Sequence, residues 1–311
     1  MFEIRRYSAD RASEWNLFVA SSKNGTFLFD RNYMDYHADR FTDHSLMFYR
    51  DNRLYALLPA NEKEHTLYSH QGLTYGGLVM GMDATTVHIM EIFECMNAYL
   101  RRQHIQRVVY KAVPWIYHLV PAEEPLYAMH LKCRYRLLER DVSSTIVIDR
   151  QLKWKKDRRH GLRQAHDNGV ETRFSEDFDA FWPILEENLL QNHQASPVHS
   201  LAEIKLLHSR FPKNILLMEA RKAGEMLGGC VVYLTQQTVH AQYISATPEG
   251  KRLGVVDAIV DELLHSFPEC VYMDFGKSTE AHSDMLNENL IYQKEGFGAR
   301  ALCYDTYEWV L

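Results

Sequence analysis

Apolar residues recur along this chain at two periods, one near 3.6 and one near 2, and the alternation between them sketches the elements. From Arg11 to Ala20 the spacing of Trp15, Phe18 and Val19 predicts an amphipathic helix, followed by a turn at Asn24-Gly25. Ser45–Tyr49 and Leu54–Pro59 read as two strands joined through Arg50-Asp51-Asn52-Arg53, and a third apolar segment surrounds Gly72–Val79. Val87, Met90, Phe93, Met96, Asn97 and Leu100 share one face of a long helix predicted over Thr85–Gln103. A strand at Arg107–Lys111, a helix over Glu123–Lys132 and a strand over Leu137–Ile148 complete the first half.

The second half repeats that order. Phe178, Phe181, Trp182, Leu185 and Leu189 predict a helix from Asp177 to about Gln191, with Pro183 as a kink point, and a second helix covers Leu201–His208. Ile215–Ala220 and Met226–Leu234 form a hairpin around Lys222-Ala223-Gly224, and Thr238–Thr247 is the next strand. A helix carrying Val255, Val256, Ile259, Val260, Leu263 and Leu264, a strand at Cys270–Phe275, a helix near Leu286–Lys294 and a strand at Ala301–Val310 follow. Val108–Lys111 and Val271–Asp274 occupy the same place in the two halves, each after a long helix and before a short helix and a long strand. The order implies two similar α/β domains, 1–148 and 149–311, each a mixed, largely antiparallel sheet flanked by helices.

Composition narrows the classes. With 46% hydrophobic, 12% aromatic and 24% charged residues in 311, the chain has ample core for two domains and none of the bias of disorder. Its N-terminal Met1–Arg6 lacks the features of a secretory signal, and no stretch approaches a membrane span, so a cytoplasmic protein is expected. Five widely spaced cysteines without a CxxC pair argue against a disulfide framework or a thiolate metal site. A formal charge of -6 disfavours a dedicated nucleic-acid binder. Against that charge stands a basic run, Lys153 to Arg163, holding Lys153, Lys155, Lys156, Arg158, Arg159 and Arg163 with one acid, Asp157; it is either a solvated helix or a phosphate-facing one. There is no G-x-S-x-G elbow and no H-E-x-x-H zinc helix, and Gly276-Lys277-Ser278-Thr279 lacks the first glycine of a P-loop.

Tyr292-Gln293-Lys294-Glu295-Gly296-Phe297 matches the Y-x-K-x-G-F string that GNAT acetyltransferases carry where their last helix ends; Gly296 suits a left-handed helix-closing position and Phe297 a return to the core. Tyr272–Ser278 with Gln293–Gly298 resembles the "DFG-basic-Ser... FK-x-x-FG" pairing of FemAB-like proteins, and Trp154–Ala165 resembles the basic helix opening their second domain, ending in a turn like Gly169-Val170. The resemblance covers about residues 150–311, with Gln293 standing where that family has an aromatic residue. In the first half it extends only to element order and Tyr75-Gly76-Gly77.

The resemblance implies a tandem-GNAT acyltransferase that moves an acyl group, acetyl foremost, from an acyl-CoA to an amine and needs no metal. Tyr292 would protonate the departing thiolate, and Lys294 would stabilise the oxyanion of the tetrahedral intermediate. Coenzyme A would meet Gly250, Lys251, Arg252, Leu253 and Gly254, the turn between a strand and a helix, where the helix dipole favours a pyrophosphate; an ordinary strand-helix turn fits the same residues. For the base that accepts the amine proton, His240 and His193 are the candidates among 16 histidines. Two alternatives remain open: a Fem-type transferase using aminoacyl-tRNA on a cell-wall precursor, for which the basic helix could face transfer RNA, and a non-catalytic binding protein on a degenerate GNAT fold. Since Tyr292 and Lys294 are two apart on a helix, they should point in very different directions and not serve one centre together.

Overall fold

The structure is a computed structural model that describes residues 2–280 and 285–311 and, for Asn192 and His193, the backbone alone. Two compact units divide the chain: Met1–Asp141 with Cys303–Leu311, and Val142–Leu302. The break expected near Asp149 thus lies between Asp141 and Val142, inside a long strand, and the C-terminal strand gives its last residues to the first unit.

The first unit contains strands β1 (Glu3–Arg6), β2 (Thr42–Asp43), β3 (Leu46–Arg50), β4 (Arg53–Leu58), β5 (Asn61–Lys63), β6 (Thr66–Tyr68), β7 (Val79–Met80), β8 (Arg107–Lys111) and the start of β9 (Arg136–Val147). Its helices are α1 (Ala12–Ser21), α2 (Arg31–Met34), α3 (Thr86–Arg102) and α4 (Glu124–Lys132). One sheet has the order β1-β3-β4-β7; in the other, β8 pairs parallel to β6 and antiparallel to the chain's C-terminal strand, where Trp309 opposes Val108. Helix α3 forms because Ile89, Ile92, Phe93, Met96 and Leu100 repeat at helical spacing and all are buried. Val87, placed on that face by the pattern, is 64% exposed, because it sits in the first turn. Asn97 is polar yet belongs in this core: it accepts from Trp309 Nε1 at 3.1 Å and donates to Cys133 Sγ at 3.4 Å. The apolar stretch around Gly72–Val79 yields only the two-residue β7, the rest being irregular chain held by Lys111, which donates to the carbonyl of Leu73 at 2.7 Å.

The second unit contains the end of β9, then α5 (Lys156–Asp167), β10 (Glu171–Ser175), α6 (Phe178–His193), α7 (Leu201–Arg210), β11 (Ile215–Lys222), β12 (Glu225–Leu234), β13 (Thr238–Ala246), α8 (Pro248–Arg252), α9 (Val255–Ser266), β14 (Tyr272–Lys277), α10 (Glu288–Gly296) and β15 (Arg300–Val310), whose end belongs to the first unit. Its sheet runs β10-β11-β12-β13-β14-β9, antiparallel throughout except for the parallel pair β13–β14. Strand period sorts the two faces. Cys230 lies in the core with Val255, Ile259 and Leu263 of α9, whereas its neighbour Gly229 faces Phe181 of α6. Each fully buried aliphatic side chain here contributes about 1.5–3 kcal/mol, so α9 is held by its apolar stripe. Helix α6 runs through Pro183 without a break; the proline stands in the second turn. Strand β10, short and largely polar, was hidden from the apolar pattern.

Candidate active site

Strands β13, β14 and β9 of the second unit bring the chemistry together. In the parallel pair, His240 of β13 lies beside Asp274 of β14, and His240 Nδ1 donates to Asp274 Oδ2 at 2.8 Å. Asp274 is fully buried. Its other oxygen, Oδ1, accepts from Ser143 Oγ at 2.5 Å and Thr145 Oγ1 at 2.9 Å, both on β9, and the Gly276 amide reaches Oδ2 at 3.3 Å. A carboxylate accepts only, so the hydrogen of the neutral imidazole sits on Nδ1 and the lone pair on Nε2. Four donors around one buried carboxylate offset the cost of removing it from water.

The pairing of β14 with β9 slips between Asp274 and Lys277, and Gly276 at that irregularity has φ of +73°. A Cβ there would lie 3.3 Å from His240 Cε1 and 3.8 Å from Nε2, so glycine both permits the backbone turn and spares the imidazole a tight contact.

Lys294 projects from α10 into this turn and is buried. Its Nζ donates to the Gly276 carbonyl at 2.8 Å, the Lys277 carbonyl at 2.8 Å and Ser278 Oγ at 2.9 Å. Burial pulls its pKa down to about 8, against the upward pull of the Asp274 charge. Tyr292, by contrast, is 57% exposed, with the Lys155 ammonium 3.6 Å from its ring centroid. The expected divergence of these two side chains is present. Tyr292→Phe should therefore change the transfer rate by less than about twofold, against the roughly 10²-fold of a general acid, in steady-state kinetics.

Gly296 stays inside α10, and the left-handed residue after the helix is Gly298, with φ of +86° and a would-be Cβ 2.5 Å from the Leu152 carbonyl. Phe297 enters the core as expected, between Trp154 and Phe275. The Gly250–Gly254 segment is no open loop: Pro248–Arg252 forms the short helix α8, capped by Thr247. A Cβ on Gly250 would stand 2.3 Å from the Leu227 carbonyl, and one on Gly254, whose φ is +76°, 2.0 Å from the Gly161 carbonyl of α5. The first turn of α9 holds its own carboxylate, Asp257, bonded by Arg158 Nη1 at 3.2 Å; burial lifts its pKa to about 6 in spite of Arg158. Lys251 bonds the Asn188 side chain and Arg252 the Glu249 carboxylate at 3.4 Å. Leu253 is buried. At this helix start the chain's own groups pack closely: a Cβ on Gly254 would meet the Gly161 carbonyl, and Asp257 pairs with Arg158 beside it.

Sequence reasoning missed Asp274, Ser143 and Thr145, although the Asp-Phe-Gly string carried the first of them. It also missed Tyr243. Because the β12–β13 register shifts between Val231 and Val232, His240 and Tyr243 oppose Tyr233 and Val231 and so share one sheet face. Tyr243 Oη lies 2.7 Å from His199 Nδ1, and burial raises its pKa. The side chain of His193 lies outside the described residues. Among the described residues no group of three or more His, Cys, Asp or Glu side chains is arranged to hold a metal ion, and no helix is long and apolar enough to cross a membrane.

No family model and no curated protein sequence matches the chain. Solved structures do. It is similar to FemX, with a TM-score of 0.71 at 10% identity over 99% of this chain and 97% of that one. It is similar to L-PGS from Bacillus licheniformis, with a TM-score of 0.61 at 11% identity over 97% of this chain and 91% of that one. A tandem GNAT protein from the clavulanic acid biosynthesis pathway gives 0.51 at 11% identity over 100% and 98%. The chain has the tandem GNAT, FemAB-like fold, a mixed α/β architecture.

Proposed function

We propose that the protein transfers an acyl or aminoacyl group to an amine, with the reaction centre at His240 and Asp274 in the second unit. The observation that carries this reading is the His240–Asp274 pair, with its carboxylate fixed by Ser143 and Thr145 and its imidazole beside Gly276. His240 Nε2 takes a proton from the attacking amine as the new C–N bond forms, Asp274 balances the imidazolium, and the bond from the acyl carbon to the leaving atom breaks. That leaving atom takes up a proton, for which Tyr243, on the same face as His240, is our candidate donor.

For the donor, the close packing at the start of α9, where Gly254 meets α5 and Asp257 pairs with Arg158, favours an aminoacyl ester over an acyl-CoA, as does the resemblance of residues 150–311 to Fem-type transferases. A transfer RNA could then be met by the basic helix α5, and a cell-wall precursor is one class of amine acceptor. Acyl-CoA is the second reading, supported by the likeness to a tandem GNAT protein. The test incubates the protein with aminoacyl-tRNA or with acetyl-CoA and a panel of amines, and follows the acyl group by mass spectrometry. Transfer from the aminoacyl ester that disappears in His240→Ala supports the proposal. Equal product with wild type and His240→Ala from every donor would sink it.

A further inference from the structure

We propose that Lys294 is a positioning residue, which spends its ammonium hydrogens on the Gly276–Ser278 turn and through that turn orients the His240–Asp274 pair, instead of meeting the oxyanion itself. The inference rests on the acyl-transfer reading for its kinetic consequences and on geometry for everything else. A lysine ammonium has three hydrogens and accepts none. Here the Gly276 carbonyl, the Lys277 carbonyl and Ser278 Oγ, all within 2.9 Å, take the three. A substrate oxygen would have to displace one of these partners, of which Ser278 Oγ is buried and would be left unmet.

What the turn does explains why it is held. The Gly276 amide donates to the same Asp274 oxygen that binds His240 Nδ1, and Gly276 packs against the imidazole at Cε1. Ser278 is fully buried and its amide donates to the Val142 carbonyl at 2.7 Å, next to Ser143, which bonds the other Asp274 oxygen. Lys294 thus pins one short segment whose two ends touch both oxygens' partners. Burial lowers the Lys294 pKa to about 8; Asp274 on β14 and His240 on β13 are the titratable groups beside this turn, and Arg158 on α5 packs against α10 at Gly296.

Two readouts separate this role from a merely structural one. The sign for stability is fixed by linkage. A lysine whose pKa is depressed on folding costs stability below its folded pKa, and that cost is relieved as pH rises from about 8 toward 10.5. Loss of the ammonium frees an acceptor in the turn, so transfer should fall above about pH 8 while the Lys294 contribution to stability improves. The second readout needs no turnover: the low-field proton signal of the His240 Nδ1–H, assigned by its absence in His240→Ala.

The experiment compares wild type, Lys294→Met and Ser278→Ala by that signal and by kcat, KM and pH profile. The expected result is a signal shifted or broadened in Lys294→Met, kcat lower by roughly 10–100-fold with KM within about twofold, and loss of the decline above pH 8. A Lys294→Met protein that keeps the signal unchanged while turnover is abolished would return the residue to the oxyanion and overturn the proposal. Should Lys294→Met not fold, Ser278→Ala and the wild-type signal followed through pH 8 decide it: an unmoved imidazole signal in both rejects the clamp. If wild type transfers nothing, the function fails, and the proton signal still tests the clamp.

Discussion

Replacing Asp274 by asparagine should lower kcat for transfer by roughly 10²–10⁴-fold with little change in KM, the scale of losing an oriented general base. Ser143 and Thr145 both donate to Oδ1, so the asparagine carbonyl will take that side and its NH₂ will face His240. An NH₂ group donates to Nδ1. The imidazole hydrogen must then move to Nε2, where a base needs a lone pair, and the imidazolium formed in the reaction loses its buried counter-charge. Asparagine fills the volume of aspartate, so the core around Met273 and Phe275 need not repack. Steady-state kinetics with circular dichroism as a folding control read this directly. A variant within threefold of wild type would remove His240 as the base, whichever donor is used.

The site was partly legible from the chain, and the reasons for success and failure differ residue by residue. Lys294 stood out because its string matches a known family, and its burial follows from the helical phase that sends Tyr292 outward. His240 could be placed on a strand by the run Thr238–Thr247, but nothing local indicates its partner, since Asp274 lies on a different strand and the two meet only through a parallel pairing. Parallel neighbours carry no register signal in sequence, unlike hairpins, whose turns fix it. Tyr243 was invisible for another reason: three residues along a regular strand would put it on the face opposite His240, and only the register shift restores the match. Ser143 and Thr145 sit where the long strand β9 has entered the second unit, beyond the boundary at Asp141, so a break near Asp149 assigned them to the wrong half. The fold itself was easier. Its helices follow apolar stripes, and α9 carries six apolar residues that read as helix without any tertiary knowledge. The glycines at 250 and 254 stay ambiguous because a glycine needed for close packing and one needed for a ligand look the same in sequence.

Gly254→Ala puts that last distinction to the test, with an expected loss of roughly 2–5 kcal/mol in the stability of the second unit. Two effects add. Gly254 has φ of +76°, where alanine is strained by about 1–2 kcal/mol, and its Cβ would come 2.0 Å from the Gly161 carbonyl of α5. That neighbour is backbone and cannot rotate away, so α5 must shift, at the 1–3 kcal/mol typical of overpacking. Gly224 supplies the control: its φ is +84° with nothing within 4 Å of a would-be Cβ, so Gly224→Ala carries the backbone strain alone. Urea denaturation of the two variants beside wild type isolates the steric part as their difference, provided m is unchanged. A Gly254→Ala loss exceeding that of Gly224→Ala by at least about 1 kcal/mol means that α5 is pressed against the start of α9, where Asp257 and Arg158 already sit. Equal losses would mean that α5 lifts away at little cost. The helix start would then be open to an anion, and acyl-CoA would regain its claim as the donor over an aminoacyl ester.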